Sequence, residues 1–453
     1  MTIENAIAVT RFGLGAMPGE IEGIDDPKAW LLKQIDPACL AEWSFESSIP
    51  SKQLLSDLQM HSMEIRTNKT AARSDQSVEK RRVYLRSARQ IMKRDVVNRA
   101  AFGATTTASF HERLVRFWSN HFSISARNIQ TRLIAGAYER EAIRPYILGD
   151  FTTLARQAVL HPGMLIYLDN VQSIGPNSRG SRRGRRGLNE NLAREVLELH
   201  TVTMAANYSQ ADVTEFARAL TGWTVGNHRD GQDHRGEAVF AERIHEPGTR
   251  TILGKNYGQT DGAQAEAILR DLCMRPETAH NIAFKLARHF VSDTPPPSLV
   301  TRLAKVFLET DGNLGELYTV LIHAPEAWQR EPQKVKTPDD LLTSTARLIG
   351  VKAVFAGKPK AVYVSLAQRP FYAPTPEGWP DEAGSWLGPD ALMKRIEWAN
   401  RVAERSPNLD ARALLEQGLG ELASTALSQA VRDAESGRQA LALALMSPSF
   451  QRR

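Results

Sequence analysis

Two carboxylates and an amide stand close together in the segment Leu188 to His200, Leu-Asn-Glu-Asn-Leu-Ala-Arg-Glu-Val-Leu-Glu-Leu-His. Leu188, Leu192, Val196 and Leu199 recur at the three-to-four spacing of an amphipathic helix. At about 100° per residue, Asn191, Glu195 and Glu198 fall within about 60° of one another on the shoulder of that apolar stripe. Such a pair can divide general-acid and general-base roles when its surroundings separate the two pKa values, or it can ligate a divalent metal. The competing reading is structural: helical pairs Glu190 with Arg194 and Arg194 with Glu198, and a salt bridge from Glu195 to a packed neighbour. His200 lies about 140° around the axis from Glu195 and is expected to point elsewhere.

Two further histidines are candidates for the same chemistry. His121 shares one face of the segment His111 to Phe122 with Leu114, Phe117, Trp118 and Phe122. It is expected to be at least partly buried, with Glu195 or Glu198 as acceptor for its ring. His245 sits in His245-Glu246-Pro247-Gly248, read as the tip of a short hairpin between 238–244 and 249–253. The polar loop 226–237 holds His228, Asp230, Asp233 and His234, donor types that suit a metal but are common in solvated loops.

Binding groups flank these positions. The loop 177–187 contains Arg179, Arg182, Arg183, Arg185 and Arg186 with three glycines and no acid. Guanidinium forks of this density suit phosphate, sulfate or carboxylate, and the loop leads into a helix N-terminus, where anions are favoured. Nucleic acid is not favoured, because no aromatic residues interleave with the cluster. Between Gln368 and Pro389, Phe371, Tyr372, Trp379 and Trp386 alternate with prolines. Trp379 can stack on a sugar ring there, or the segment can close over a core.

Asn189-Glu190-Asn191-Leu192-Ala193-Arg194-Glu195, Ala217-Arg218-Ala219-Leu220-Thr221-Gly222-Trp223, Arg11-Phe12-Gly13-Leu14-Gly15, Phe117-Trp118-Ser119-Asn120-His121-Phe122, Gly378-Trp379-Pro380-Asp381 and Ser447-Pro448-Ser449-Phe450 together resemble the bacterial family called Domain of Unknown Function 1800. The resemblance runs the length of the chain. It implies a sulfatase-like protein as a partner and, for many members, export. His245 matches a histidine of the family, and Asn189, Asn191, Arg194 and Arg218 of the matching motifs are assigned to substrate binding, with Arg218 also a partner for Glu195 or Glu198.

The elements that must hold these residues read as helical. Ser209 and Asp212 form a capping pattern before a helix with Val213, Phe216, Ala217 and Leu220 on its buried face, and Thr337-Pro338 opens another. His161-Pro162-Gly163 ends the helix from Phe151 to Leu160, and His289 is placed to cap a helix C-terminus. The fold class is therefore all-α with a minor β-hairpin, either one compact multi-helix body or two lobes, 1–225 and 261–453, joined by the region 226–260.

Composition narrows the class without naming a reaction. The 453 residues are 42% hydrophobic and 24% charged, enough to build a core. A net charge of +6 from 57 basic and 51 acidic residues is far from that of a dedicated nucleic-acid binder. Cys39 and Cys273 belong to no metal-binding or disulfide pattern. No run is long enough to span a membrane and no signal peptide is visible, so the sequence as read is cytoplasmic, with export the alternative implied by the resemblance. Two function classes emerge: a hydrolase-like enzyme on an anionic or sugar-derived substrate, using Glu195, Glu198, His121 and His245 with or without a divalent metal; or a non-catalytic accessory protein for a sulfatase-like partner or polymer.

Overall fold

The computed structural model describes residues 2–39, 48–67, 75–181, 187–227 and 230–453. The described chain is predominantly helical, and one apolar cluster runs through it from Ile7 to Phe450. The helices that frame the site and its surroundings are α1 (Ser51–Thr67), α2 (Asp75–Thr105), α3 (Ser109–His121), α4 (Ile129–Tyr138), α5 (Asn191–Glu195), α6 (Gln210–Leu220), α7 (Pro276–Phe290) and α8 (Pro338–Ile349). Among the described residues no helix is long and apolar enough to cross a membrane.

The buried centre of the fold is α3. Residues 109 to 118 and His121 are all buried, so the charged side chains of this helix are largely withdrawn from solvent. Each needs a partner, since an unpaired buried charge costs several kcal/mol. Glu112 meets Arg144 at 2.7 Å, Arg113 meets Asp340 of α8 at 3.0 Å, and Ser119 donates to Glu139 at 2.9 Å. Trp118 donates its indole N–H to the Tyr318 hydroxyl at 2.7 Å, which in turn donates to the Ile147 carbonyl. These contacts fix α3 in rotation as well as position.

Helix signals in the sequence are realised locally. Ser209 and Asp212 form a reciprocal capping box on α6, Thr337 caps α8 with Pro338 at its first position, and the helix Phe151–Leu160 stops at His161. The central segment departs from a simple helix. After α5, the chain widens into a π turn over Val196–His200, with Thr201 donating to the Val196 carbonyl at 2.7 Å. One extra residue in the turn rotates the residues beyond it, so Leu197 and His200 are buried while Leu199 is only half-buried. His200 turns into the core, where its ring lies 5.5 Å from that of His121 and 5.0 Å from Phe122.

Strand pairing also differs from the expected hairpin. Ala238–Phe240 (β2) pairs antiparallel with Trp223–Val225 (β1), and Arg250–Ile252 (β3) with Lys255–Tyr257 (β4). Leu253 and Gly254, at φ 49 and 78, turn β3 directly into β4, and Asp212 accepts from the Leu253 N–H at 2.7 Å. The 245–248 segment is held elsewhere, so 238–244 and 249–253 do not pair.

Candidate functional site

A cavity of about 480 Å³ opens beside α3, lined by α3, the end of α4, the last turns of α7, the start of α8 and the segment 368–382. Two sequence motifs build its wall by touching. Asn120 of α3 donates its side-chain amide to the Trp379 carbonyl at 2.9 Å and accepts from the Trp379 N–H at 2.8 Å. Gly378 precedes this clasp at φ 96, and a β-carbon there would stand 2.4 Å from the Asn120 carbonyl oxygen. Only glycine supplies both the backbone angle and the close approach. Farther along, Trp386 is buried against Trp379, with ring centroids 6.2 Å apart, and donates to the Pro380 carbonyl.

On the facing wall, Lys285, Arg288 and His289 occur at i, i+3 and i+4 of α7 and all line the cavity. His289 Nδ1 lies 2.9 Å from an Asp381 carboxylate oxygen, so Nδ1–H donates to it and Nε2 carries the lone pair. Burial lowers His289 to about 4, helped by Arg453 and opposed by Asp381, so the ring is neutral at pH 7. Burial raises Asp381, but His289, Lys334 and Arg453 outweigh it and hold the carboxyl below its ordinary value. His289 is thus an oriented neutral imidazole. Its Nε2, the Arg288 Nε and the Trp379 Nε1 are buried atoms with no hydrogen-bond partner among the described residues, and all three side chains line the cavity.

The floor is ionic. Asp340 is held between Arg113 and Arg453, each at 3.0 Å, and Arg453 also donates to the His289 carbonyl at 2.8 Å. Arg99 bridges Glu139 at 3.1 Å and Asp339 at 2.9 Å. These arginines have carboxylate partners, whereas Arg288 spends only one arm, on exposed Glu382 at 3.0 Å.

His121 enters the same cavity from α3. Its acceptor is not Glu195 or Glu198: Nε2 lies 3.2 Å from the His200 carbonyl and Nδ1 lies 3.4 Å from Lys285 Nζ. A carbonyl can only accept, so Nε2 carries the proton and Nδ1 accepts from Lys285. Burial, then Lys285 and His200, keep His121 well below the ordinary histidine pKa.

Of the other residues singled out in sequence, Trp379 lines the cavity; Glu195 and Glu198 do not. Both are half-buried on the π-containing segment, and Glu195 is raised by burial, by Glu198 and by Glu377, which lies at the cavity mouth. The cavity is lined by α3, α7 and the segment 368–382, and it meets the central segment through Lys285, which reaches the Leu199 carbonyl, and His121, which reaches the His200 carbonyl. Arg194 pairs with Glu190 at 3.2 Å and reaches Gln210 rather than Glu198. Arg218 pairs with Glu215, which also holds Arg250, and so is not the partner of Glu195 or Glu198. Asn189 accepts from the Asn191 N–H, and Asn191 itself is exposed. His245 packs on Phe240 and donates from Nδ1 to the Thr221 carbonyl at 2.7 Å, outside the cavity. Arg182, Arg183, Arg185 and Arg186 lie outside the described residues, as does His228. Among the described residues no group of three or more His, Cys, Asp or Glu side chains is arranged to hold a metal ion.

Sequence reading missed Lys285, Arg288 and the pairing of His289 with Asp381. The signal was present in two places: three basic residues at helical spacing, and an acid closing the Gly-Trp-Pro-Asp motif. Neither half announces the other, because 92 residues separate His289 from Asp381.

No curated protein and no solved structure matches this chain. Residues 7–452, which include every wall of the cavity and the central segment, match the model described as Protein of unknown function (DUF1800), and the chain belongs to that family.

Proposed function

We propose that the cavity is an active site for acid–base chemistry on a small anionic, hydroxyl-bearing molecule, with His289 as the general base and Asp381 as the group that orients it. The observation that carries this reading is the fixed Asp381–His289 pair, whose imidazole lines the cavity and whose Nε2 has no hydrogen-bond partner among the described residues. A base needs an oriented lone pair within reach of a proton, and a carboxylate on the opposite nitrogen sets that tautomer. Arg288 and Trp379 line the same cavity, and a ligand with carboxylate, sulfate or phosphate character suits the guanidinium. The substrate's own negative charge raises His289 towards neutrality, which strengthens a base that rests at about 4.

Chromogenic phosphate, sulfate, carboxylic ester and glycoside substrates test the hydrolytic form directly. Turnover that falls about 10²- to 10⁴-fold in His289→Asn, with the circular-dichroism spectrum retained, supports the assignment. Turnover equal in the variant and the parent chain rejects it.

A further inference from the structure

The surroundings of one amine take the chemistry of this cavity further. Lys285 Nζ donates to the Leu199 carbonyl at 2.8 Å and to His121 Nδ1 at 3.4 Å. The His121 ring cannot accept from the other side, because its Nε2–H is committed to His200. Two of the tetrahedral directions around Nζ are therefore fixed by protein acceptors, and the side chain lines the cavity. No carboxylate forms an ion pair with it among the described residues, unlike Lys334, which pairs with Asp293 and Asp381.

We propose that Lys285 is a nucleophilic amine that captures an aldehyde or ketone carbonyl of the bound anionic ligand as an imine. This rests on the reading of the cavity as a substrate site. The Nζ lone pair attacks the carbonyl carbon, the two protons of the neutral amine pass to the carbonyl oxygen, which leaves as water, and the C=N bond forms; hydrolysis reverses each step. His289, one helical turn away on the same face, is placed to move protons on the captured carbon skeleton. Arg288, which lines the cavity, supplies the contact for the anionic group.

The groups around Lys285 agree with an amine whose neutral fraction near physiological pH is far larger than that of an ordinary lysine. Burial lowers it to about 8, Arg288 adds to the lowering, and Glu377 at the mouth opposes. The two rings beside it, His121 and His200, are themselves held neutral: burial lowers His200 to about 3 and His121 well below the ordinary value. Neither ring adds a positive charge at working pH. A lysine in such a pocket is a carbonyl nucleophile, where an exposed lysine is protonated and inert.

The test uses glyoxylate, a small aldehyde bearing a carboxylate, with cyanoborohydride and the intact chain, followed by peptide mapping for carboxymethyl-lysine. The expected result is labelling at Lys285 about tenfold faster at pH 7.5 than at exposed Lys305, rising through about pH 8 rather than through the ordinary lysine range. Lys285→Arg, which keeps the charge, loses that peptide's label alone. Label on Lys305 and other surface lysines with none at Lys285, or one shared pH profile, overturns the proposal. The two readings separate in His289→Asn. Lys285 labelling that persists without any His289-dependent turnover removes the base and keeps the amine, whereas His289-dependent turnover without Lys285 labelling does the reverse.

Discussion

Two regions of this chain carry acids close to histidines, and they are built in opposite ways. On the central segment, Glu195 and Glu198 stand half-buried with no ion pair to either one among the described residues, and burial together with their mutual repulsion raises Glu195. In the cavity wall, Asp381 is fixed on His289 at 2.9 Å and backed by Lys334 and Arg453, beside the Trp379 segment. The first region concentrates polar residues in sequence; the second assembles them from α7 and a distant loop. Density of charge along a helix is not enclosure. Preorganised chemistry requires a group whose orientation is decided before the substrate arrives, and here that describes the His289 side of α3.

The sharpest way to break the comparison is to remove the ionic floor. Asp340→Asn leaves Arg113 and Arg453, both buried, facing a neutral amide, and the expected loss of stability is about 3–5 kcal/mol. Urea unfolding measures it, and a change below about 1 kcal/mol would show that the network contributes little to holding the cavity.

A second measurement is stability against pH. The folded-state pKa of His289 lies at about 4, below the unfolded value near 6.5, so the unfolded chain binds more protons in between. The neutral, buried form is fully accommodated above 6.5. Stability is then lost as pH falls from about 6.5 to 4, by about 3 kcal/mol for this residue taken alone. His200 and His111, both lowered to about 3 chiefly by burial, act with the same sign. His289→Asn is expected to flatten the slope in that window, as followed by thermal unfolding from pH 7 to pH 4, and an unchanged slope would contradict a neutral His289.

How much of this was legible depended on whether the cause was local. Caps and stops are local, and Ser209, Asp212, Thr337 and the His161-Pro162 stop all fall where their residue types require. The burial of His121 followed from its helical face. The π turn at Val196–His200 was invisible, since the leucines fit an ordinary helix equally well and the packing of His200 against Phe122 is a tertiary contact. Strand partners were misread because the Leu253-Gly254 turn competes with a Pro-Gly turn that looks stronger on paper. For the cavity, Trp379 and His121 were identified, whereas His289 was assigned to a helix end. Its true partner is brought in by the Asn120 clasp, a tertiary contact with no signature at the spacing that sequence reading inspects.

That clasp supplies the next test. Asn120→Ala removes two hydrogen bonds to the Trp379 backbone, with an expected cost of about 1–2 kcal/mol and loosening of the 374–382 segment. The informative readout is the pair of protection from hydrogen exchange at Trp379 and labelling of Lys285 by glyoxylate. If the segment encloses the site, exchange at Trp379 speeds up and the pH profile of Lys285 shifts towards that of an exposed lysine, because burial is what lowers it. Exchange that rises without any shift at Lys285 would mean that the wall and the amine are independent.

The smallest expected effect is the most discriminating for the central segment. Glu195 is raised by burial, by Glu198 and by Glu377, so its folded-state pKa lies above the unfolded value. By linkage, such a carboxyl favours folding while protonated and loses that contribution as pH rises through its folded pKa. At pH 7 the charge is therefore a mild burden, reduced by solvent screening because the side chain is only half-buried. Glu195→Gln is expected to change stability by no more than about 0.5 kcal/mol, on the stabilising side. Loss of more than about 1 kcal/mol would reveal a structural partner for Glu195. Loss of turnover without loss of stability would extend the chemistry to the central segment, through Glu377, a carboxylate that lines the cavity and acts on Glu195.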